Sequence, residues 1–580
     1  MTDWLVGLTI GLPWIGALAV WLAGDRRADA QHKLAVAFSV AAGAAALLLL
    51  PSYGDGAALS IEVGSVFGAF TFVPDGLGVF LAAVATVVGS LAVIFSVDYM
   101  RGEASLGRYY ALVLLFIGAM VGLALSGSLF LMFVFWEITA LCSYALIAFY
   151  NDDPKAVAGG IRALIITQVG GLGLLAGALI AYAYLGDTQI STFLARADTL
   201  PAGMLAVMAF GALIAAAAKS AQVPFHTWLP GAMEAPTPVS ALIHAATMVN
   251  AGVYLLARFY PAFEGVTGWK TAVVVIGLLS AFLAALMALV ATDLKRVLAY
   301  STISQLGYMV YAVGVGGVFA SQFHLLSHAV FKALLFLAAG AVIHGVGTRD
   351  MRRMGGLRRE MPFVRTVFVI GALALAGLPF FNGFWSKELV LEDGLHDGPV
   401  WAYAGMLIAA GITALYTARM VWLVFYGERR GAGHAHDAGQ AMKLATGALA
   451  AGTLTTWLLA GPFGTMLRQS LPFHDLHAPG ALDLYGTILT APATYLALAV
   501  IGLGLAAWAF RDRLVGESFA WLARAADRDF GFEWLNQRIV SATTAAADAV
   551  RVTQTGLLNW NVLGIVGGLV IVLAVLALGA

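Results

Sequence analysis

Three lysines and one glutamate of this chain stand where charge is costly. Lys219 ends the apolar run FGALIAAAAK, Lys332 sits inside HAVFKALLF, Lys387 follows AGLPFFNGFW, and Glu137 interrupts FVFWEITAL. One such charge at mid-bilayer costs roughly 2.5–3.5 kcal/mol on insertion scales. A chain that keeps all four predicts a path for protons or other cations through a membrane. Burial disfavours an ammonium and a neighbouring carboxylate favours it. Moving the carboxylate therefore switches a lysine between holding and releasing its proton, with Glu137 as tuner and Lys219 as carrier. The blander readings are a lysine snorkelling to the interface and a glutamate solvated at a helix end.

Histidines extend the series. The stretch FHLLSHAVFKALLF places His324, His328 and Lys332 at i, i+4 and i+8. A helix stacks these on one face, about 6 Å apart along the axis per step. A linear proton wire fits that spacing; the alternatives are a polar stripe between helices and a metal site. No nearby carboxylate or cysteine completes a ligand set, and the adjacent lysine would repel a metal ion. His244, in SALIHAATM, suits relay because imidazole titrates near neutrality, or serves as a hydrogen-bonded core residue. Lys387 and Glu388 read as an exit, a charge pair facing the outer water, or as an ordinary interfacial ion pair. His434 and His436 in GERRGAGHAHDAG resemble a metal-binding scrap without a ligand set. Asp293, Lys295 and Arg296 read as structural charges at the cytoplasmic edge.

The elements that must hold these residues are membrane spans. Of the 580 residues, 61% are hydrophobic and 11% charged, and the mean hydropathy is +0.87. Soluble domains carry about 25% charged residues, so the composition describes one polytopic all-α bundle. Spans of about 20 residues are predicted at 4–23, 33–51, 75–98, 109–126, 130–149, 161–186, 203–221, 233–260, 270–291, 297–315, 321–343, 364–387, 401–426, 442–460, 489–510 and 562–579. The first lacks a basic region ahead of its apolar run and reads as a retained span rather than a signal peptide. Loops after odd-numbered spans hold 25 of the 32 lysines and arginines. This predicts cytoplasmic arginine-rich loops, with both termini outside. The single cysteine, Cys142, excludes a disulfide framework and a multi-cysteine metal site. No nucleotide, flavin, haem or iron–sulfur motif is present. No cofactor is expected in this chain, and energy must come from a gradient or from partner subunits.

Two spans read as broken. Pro224, Pro230, Pro236 and Pro238 deny a continuous helix after the seventh, and Pro379 with Gly383 interrupts the twelfth. Irregular backbone at membrane depth survives only inside protein or a water-filled cavity. Breaks at matching places suggest two inverted five-helix repeats. The expected organisation is 1–108, N-terminal spans; 109–260, repeat one; 261–426, repeat two; 427–511, C-terminal spans; 512–561, an amphipathic lateral helix at the interface; and 562–580, an anchor span.

These motifs together resemble a known family. FWEITALCSYALIAFYNDDPK, KSAQVPFHTWLPGAMEAPTPVSALIHAATMV, TDLKRVLAYSTISQLGYM, HAVFKALLFLAAGAVI and GFWSKELVL are similar to the antiporter-like subunits of respiratory complex I, above all the chain L (subunit 5) type, and of Mrp-type cation/proton antiporters. The resemblance runs from about residue 100 to 425, and the sixteen-span count agrees with it. It implies a proton-translocating membrane subunit of a complex I-like NADH:quinone oxidoreductase in a bacterial inner membrane, coupled to electron transfer in other subunits. It also implies that Glu137, Lys219, His244, His324, His328, Lys332 and Lys387 form the hydrophilic axis that carries protons. Partners are then other membrane subunits and the lipid bilayer, with protons or sodium as cargo.

There are departures. Where the chain L type tends to carry an arginine and an aspartate in the sixth span, this chain has TQVGG, with Gln168 and Gly171. FNGFWSKEL and MEAPTPVSA look more like the Mrp A subunit. A lateral helix of the length available here reaches at most roughly 75 Å, shorter than the family's usual arm. The rival readings are an Mrp-type Na+/H+ antiporter subunit, the membrane partner of an inorganic-carbon uptake complex, and a structural spacer.

Overall fold

The computed structural model describes residues 2–56, 59–62, 69–430, 435–476, 479–511 and 520–551. Two compact units are distinguished, with a division between Ala523 and Arg524. The first unit opens with α1 (Thr2–Ala23) and α2 (Ala28–Leu49), then a hairpin of β1 (Leu59–Glu62) and β2 (Ala69–Phe72). The strands pair antiparallel with Leu59 opposite Phe72. Among the described residues this hairpin is the one addition to the all-α expectation; four residues per strand are too few for a clear period-2 pattern. There follow α3 (Gly76–Tyr99), α4 (Leu106–Leu125), α5 (Leu129–Ile147), α6 (Pro154–Leu185), the short α7 (Ile190–Arg196) and α8 (Ala202–Lys219).

The chain then breaks as its prolines require. Between Lys219 and Thr237 only single turns form, around Phe225–Thr227, α9 (Trp228–Gly231) and Ala232–Glu234. Ala221 adopts a left-handed φ of 50°. Helix resumes as α10 (Thr237–Ala241), widens into a π-turn at Leu242–Ala246, and continues as α11 (Met248–Phe263). Next come α12 (Trp269–Val290), α13 (Leu294–Val315) and α14 (Val318–Val346). The second break separates α15 (Pro362–Ala376) from α16 (Asn382–Asp397). Gly377, at φ 81°, ends α15 in the left-handed conformation that glycine adopts without steric cost. The unit closes with α17 (Val400–Val421), α18 (Gln440–Thr455), α19 (Ala460–Ser470), α20 (Ala481–Thr490) and α21 (Pro492–Ala509). A last helix, α22 (Ala520–Asp527), reaches into the second unit, whose described part is a turn at Asp529–Gly531 and α23 (Phe532–Arg551).

Thirteen helices among the described residues are long and apolar enough to cross a membrane. Two expected spans fall outside that group for physical reasons. The one at 297–315 is α13, buried over nearly its whole length yet carrying Ser301, Thr302, Ser304 and Gln305. The one at 364–387 is divided between α15 and α16 by the break. The expected anchor span at 562–579 lies outside the described residues. The lateral segment expected at 512–561 is described from 520 to 551, as two helices interrupted at Asp529–Gly531.

Helix ends are set by local chemistry. Asp75 caps α3 by accepting from Gly78 N at 2.9 Å, Asp153 caps α6 ahead of Pro154, and Asp293 caps α13 by accepting from the Lys295 and Arg296 amides. Small residues set how closely helices cross. A Cβ on Gly277 would lie 2.5 Å from Tyr311 N, and one on Gly307 would lie 2.6 Å from Ala281 N. Both glycines are therefore needed where α12 and α13 touch backbone to backbone.

Candidate functional site

Lys219 is the last residue of α8, where the helix stops at the proline-rich break. It is fully buried. Its Nζ donates to the Trp136 carbonyl of α5 at 2.7 Å and lies 4.7 Å from the centre of the Trp136 ring. Thr139 Oγ1 donates to the same carbonyl at 2.7 Å. Glu137, the next residue, is half-buried and an electrostatic neighbour of Lys219, with Gln168 of α6 beside its carboxylate. A Cβ at Gly171 would collide with Glu137 Oε1. The departure at TQVGG thus leaves room on α6 for the carboxylate itself, and a neutral amide stands beside it.

His244 lies in the π-turn between α10 and α11, fully buried. Such bulges widen a helix locally and recur at functional sites. Its ring packs 5.4 Å from Phe336 and 6.5 Å from Trp228. The Trp228 indole donates to Ala218 O at 2.9 Å, one residue before Lys219, so Trp228 spans the space between the two. Lys295 and Lys332 are the charges that act on His244.

The three residues spaced four apart on α14 are all fully buried. His324 and His328 have ring centroids 6.5 Å apart, as the helical stack requires. Lys332 Nζ donates to Ser301 Oγ of α13 at 2.7 Å. His324 is held on both sides: Nδ1 is 2.9 Å from Ser386 Oγ on α16, and Nε2 is 3.2 Å from Gln305 Oε1 on α13. No polar side chain meets the ring nitrogens of His328, and neither finds a protein hydrogen-bond partner.

Lys387, on the second turn of α16, reaches back across the break and donates to Leu375 O at 2.8 Å. That carbonyl is available because α15 ends one residue later and its last turn has no further intrahelical donors. A Cβ at Gly377 would lie 3.4 Å from the same ammonium. The expectation that Lys387 and Glu388 form a pair facing outer water is corrected here. Lys387 is fully buried and Glu388 is 1% exposed. The lysine bonds a backbone carbonyl rather than Glu388, because the end of α15 leaves that carbonyl without an intrahelical donor. Glu388 instead heads a row on α16 with Glu392 and His396, four residues apart, and the last two are bonded at 3.0 Å.

Every buried ionisable residue singled out from sequence except half-buried Glu137 lies fully inside the bundle. Lys332, His328, His324 and Lys387 form one electrostatically continuous group. Lys219 and Glu137 form another on α8 and α5, with Trp228 and His244 lying between the groups. Sequence reading passed over Ser301, Gln305 and Ser386, although STISQ in an otherwise apolar span was a usable signal. It also passed over His226, buried in the first break. Lys295, read as an edge charge, is 2% exposed and donates to Ala235 O at 2.6 Å. Its neighbours Asp293 and Glu234 both pair with Arg349, at 3.3 and 3.0 Å. His436 packs edge-on to His344 at 5.5 Å, and His434 lies outside the described residues. Among the described residues no group of three or more His, Cys, Asp or Glu side chains could hold a metal ion.

This chain is similar to known proteins along most of its length. The family model described as NADH:quinone oxidoreductase/Mrp antiporter, TM, matches residues 126–413. The model described as NADH-Ubiquinone oxidoreductase (complex I), chain 5 N-terminus, matches 61–110. NADH-quinone oxidoreductase subunit L of Escherichia coli is 38% identical over 567 residues, covering 92% of this chain and 89% of that one. NAD(P)H-quinone oxidoreductase chain 5 of Synechocystis is 43% identical over 385 residues, and the match spans only 56% of that relative's length. Among solved structures, the Mrp complex from Dietzia superposes with a TM-score of 0.83 at 30% identity, over 100% of this chain and 63% of that one. The archaeal membrane-bound sulfane sulfur reductase has a TM-score of 0.72 at 24% identity, a likeness of fold alone.

Proposed function

Because this chain belongs to the family of membrane subunits shared by NADH:quinone oxidoreductase and the Mrp antiporter, we propose that it translocates protons within a complex I-like NADH:quinone oxidoreductase. The driving reaction is electron transfer in partner subunits. The path is Glu137, Lys219, His244, Lys332, His328, His324 and Lys387. The observation that carries this reading is the burial of three lysine ammoniums, each on a neutral oxygen rather than on a carboxylate: Trp136 O, Ser301 Oγ and Leu375 O. A buried ammonium bonded to no carboxylate is expensive, so small changes around it decide whether it keeps its proton. The acid beside Lys219, half-buried in the middle of α5, is the group whose movement would make that change. The chain organises this path in two five-helix blocks, 109–260 and 261–426, each with a lysine at its broken helix. The arginine-rich loops face the cytoplasm of a bacterial inner membrane, with both ends of the chain outside.

The similarity to the Mrp complex over the whole chain supports a second reading, cation/proton antiport without redox chemistry. One experiment separates the two. The native complex is purified in mild detergent and its subunits are identified by mass spectrometry, and Lys332→Ala is tested in vesicles. Flavin and iron–sulfur subunits, NADH-driven proton uptake and at least a tenfold loss of that uptake in Lys332→Ala are the expected result. Membrane subunits alone with sodium-dependent proton exchange would move the assignment to the antiporter. Normal uptake by Lys332→Ala would overturn the path in both.

A further inference from the structure

We propose that Gln305 and Ser386 form a clamp that holds His324 in either protonation state, with Gln305 turning its amide as the ring gains or loses a proton; this rests on the proton-translocation reading above. The argument is a count of hydrogens. Ser386 Oγ has one, and it lies 3.0 Å from Asn382 O, the carbonyl one turn earlier in α16. With that hydrogen committed, Ser386 Oγ accepts from His324 Nδ1–H at 2.9 Å. The Gln305 amide lies 3.2 Å from Nε2; its carbonyl oxygen can only accept, so with that oxygen towards the ring it holds the Nε2–H of an imidazolium. Turning the Gln305 amide by half a rotation presents its NH2 to the ring, and Nε2 becomes the acceptor of a neutral imidazole. Nothing tethers the amide against that turn, because Gln305 Nε2 has no other hydrogen-bond partner in the buried site. A fixed donor or a fixed acceptor at position 305 would favour one ring state; an amide serves both.

The surroundings suit a transfer point. The charged and titratable groups facing His324 are Lys387 on α16, Lys332 and His328 on its own helix, and the Tyr308 ring on α13, 6.5 Å away. Two ammoniums oppose a charge on the ring, and the two oxygens of the clamp offset that opposition. The clamp is also fixed in register. Asn382 Nδ2 donates to Ser327 O at 3.2 Å and to Thr456 Oγ1 at 2.9 Å, which pins the first turn of α16 against α14. Gln305 and Ser386 are positioning residues on this account, since they act through His324.

The test uses inverted membrane vesicles containing the full chain with its native neighbours, and follows NADH-driven proton uptake as a function of pH. Gln305→Glu keeps the size of the side chain and, ionised, only accepts and adds a negative charge beside the ring, so the alkaline limb of the pH profile should move up by about one pH unit. Gln305→Leu should lower uptake roughly tenfold at every pH, since it removes both roles. Ser386→Ala should do the same to a lesser degree, and Ser386→Thr should restore uptake. If Gln305→Leu fails to assemble, Gln305→Glu decides alone. A wild-type pH profile in Gln305→Glu would overturn the clamp, whatever Gln305→Leu does, because packing alone moves no titration. Should Lys332→Ala also take up protons normally, the underlying reading fails as well; loss of uptake in Lys332→Ala with an unmoved Gln305→Glu profile sinks the clamp only.

Discussion

At the scale of single residues, the molecule separates charges kept in pairs from charges kept on neutral oxygens. Arg258 is the paired kind. It is 5% exposed, bonds both carboxylate oxygens of Asp75 and also meets the Tyr254 hydroxyl. Asp75 in turn caps α3. Asp75→Asn leaves a buried guanidinium without its counter-ion and should cost about 3–5 kcal/mol, read as a loss of thermal stability in detergent; an unchanged melting temperature would refute it. His474, in the loop that follows α19, adds a pH dependence. Burial holds its pKa down to about 4, and its Nε2 donates to Ala257 O at 2.8 Å. The unfolded chain binds a proton at this position near pH 6.5 and the folded one does so only near 4. Stability from this group is therefore complete above about pH 6.5 and is lost as pH falls towards about 4. His474→Gln should flatten that acid limb by on the order of 1–2 kcal/mol, measured as melting temperature against pH. The three lysines are the other kind, and the path tests above apply to them.

At the scale of elements, the breaks do the positioning. α8 stops at Lys219, whose ammonium meets the Trp136 carbonyl of α5, and α15 stops at Ala376, which leaves the Leu375 carbonyl for Lys387. The helix that faces the path, α13, is buried yet polar, and its partner α12 approaches at Gly277 and Gly307. Gly307→Val would drive a branched side chain into the α12 backbone. It should cost about 1–3 kcal/mol by overpacking. It should also displace Gln305 and Ser301, so proton uptake should fall further than in a variant of equal stability loss elsewhere. Comparing Gly307→Val with a variant of α1, matched in melting temperature, checks this; equal uptake in the two would remove the argument.

At the scale of the whole molecule, the first unit has its own buried core and the second is a separate body. α23 exposes Trp534, Leu535, Ile539 and Val540 beside charged residues. A helix with such a face needs lipid or a partner to cover it. Ending the chain after Ala523 should leave the melting temperature of the first unit within about 2 °C, since that unit has its own core. The same truncation should reduce the amount of assembled complex on native gels. A large drop in melting temperature would mean that the second unit stabilises the bundle after all.

The sequence by itself determined the class of this protein, its helices and the identity of its buried charges. Hydropathy over about 20 residues, proline and glycine at the breaks, and charge against apolar neighbours are local properties, so they can be read in any window of the chain. Lys219, Lys332 and Lys387 were legible for that reason. What each charge touches was not. Lys219 and Trp136 are 83 residues apart in sequence, Lys332 and Ser301 31, and His324 and Ser386 62. Only packing brings these pairs together, and no local pattern specifies it. The same holds for Lys295, whose edge position in sequence became a buried one because the first break folds over it at Ala235. It holds for Lys387 and Glu388, turned inward by the carbonyl that the end of α15 leaves free. Ser301, Gln305 and Ser386 carried a weak signal as polar residues in apolar spans. Their meaning came from tertiary structure, since a hydrogen-bonding group acquires a role only from the partner set opposite it.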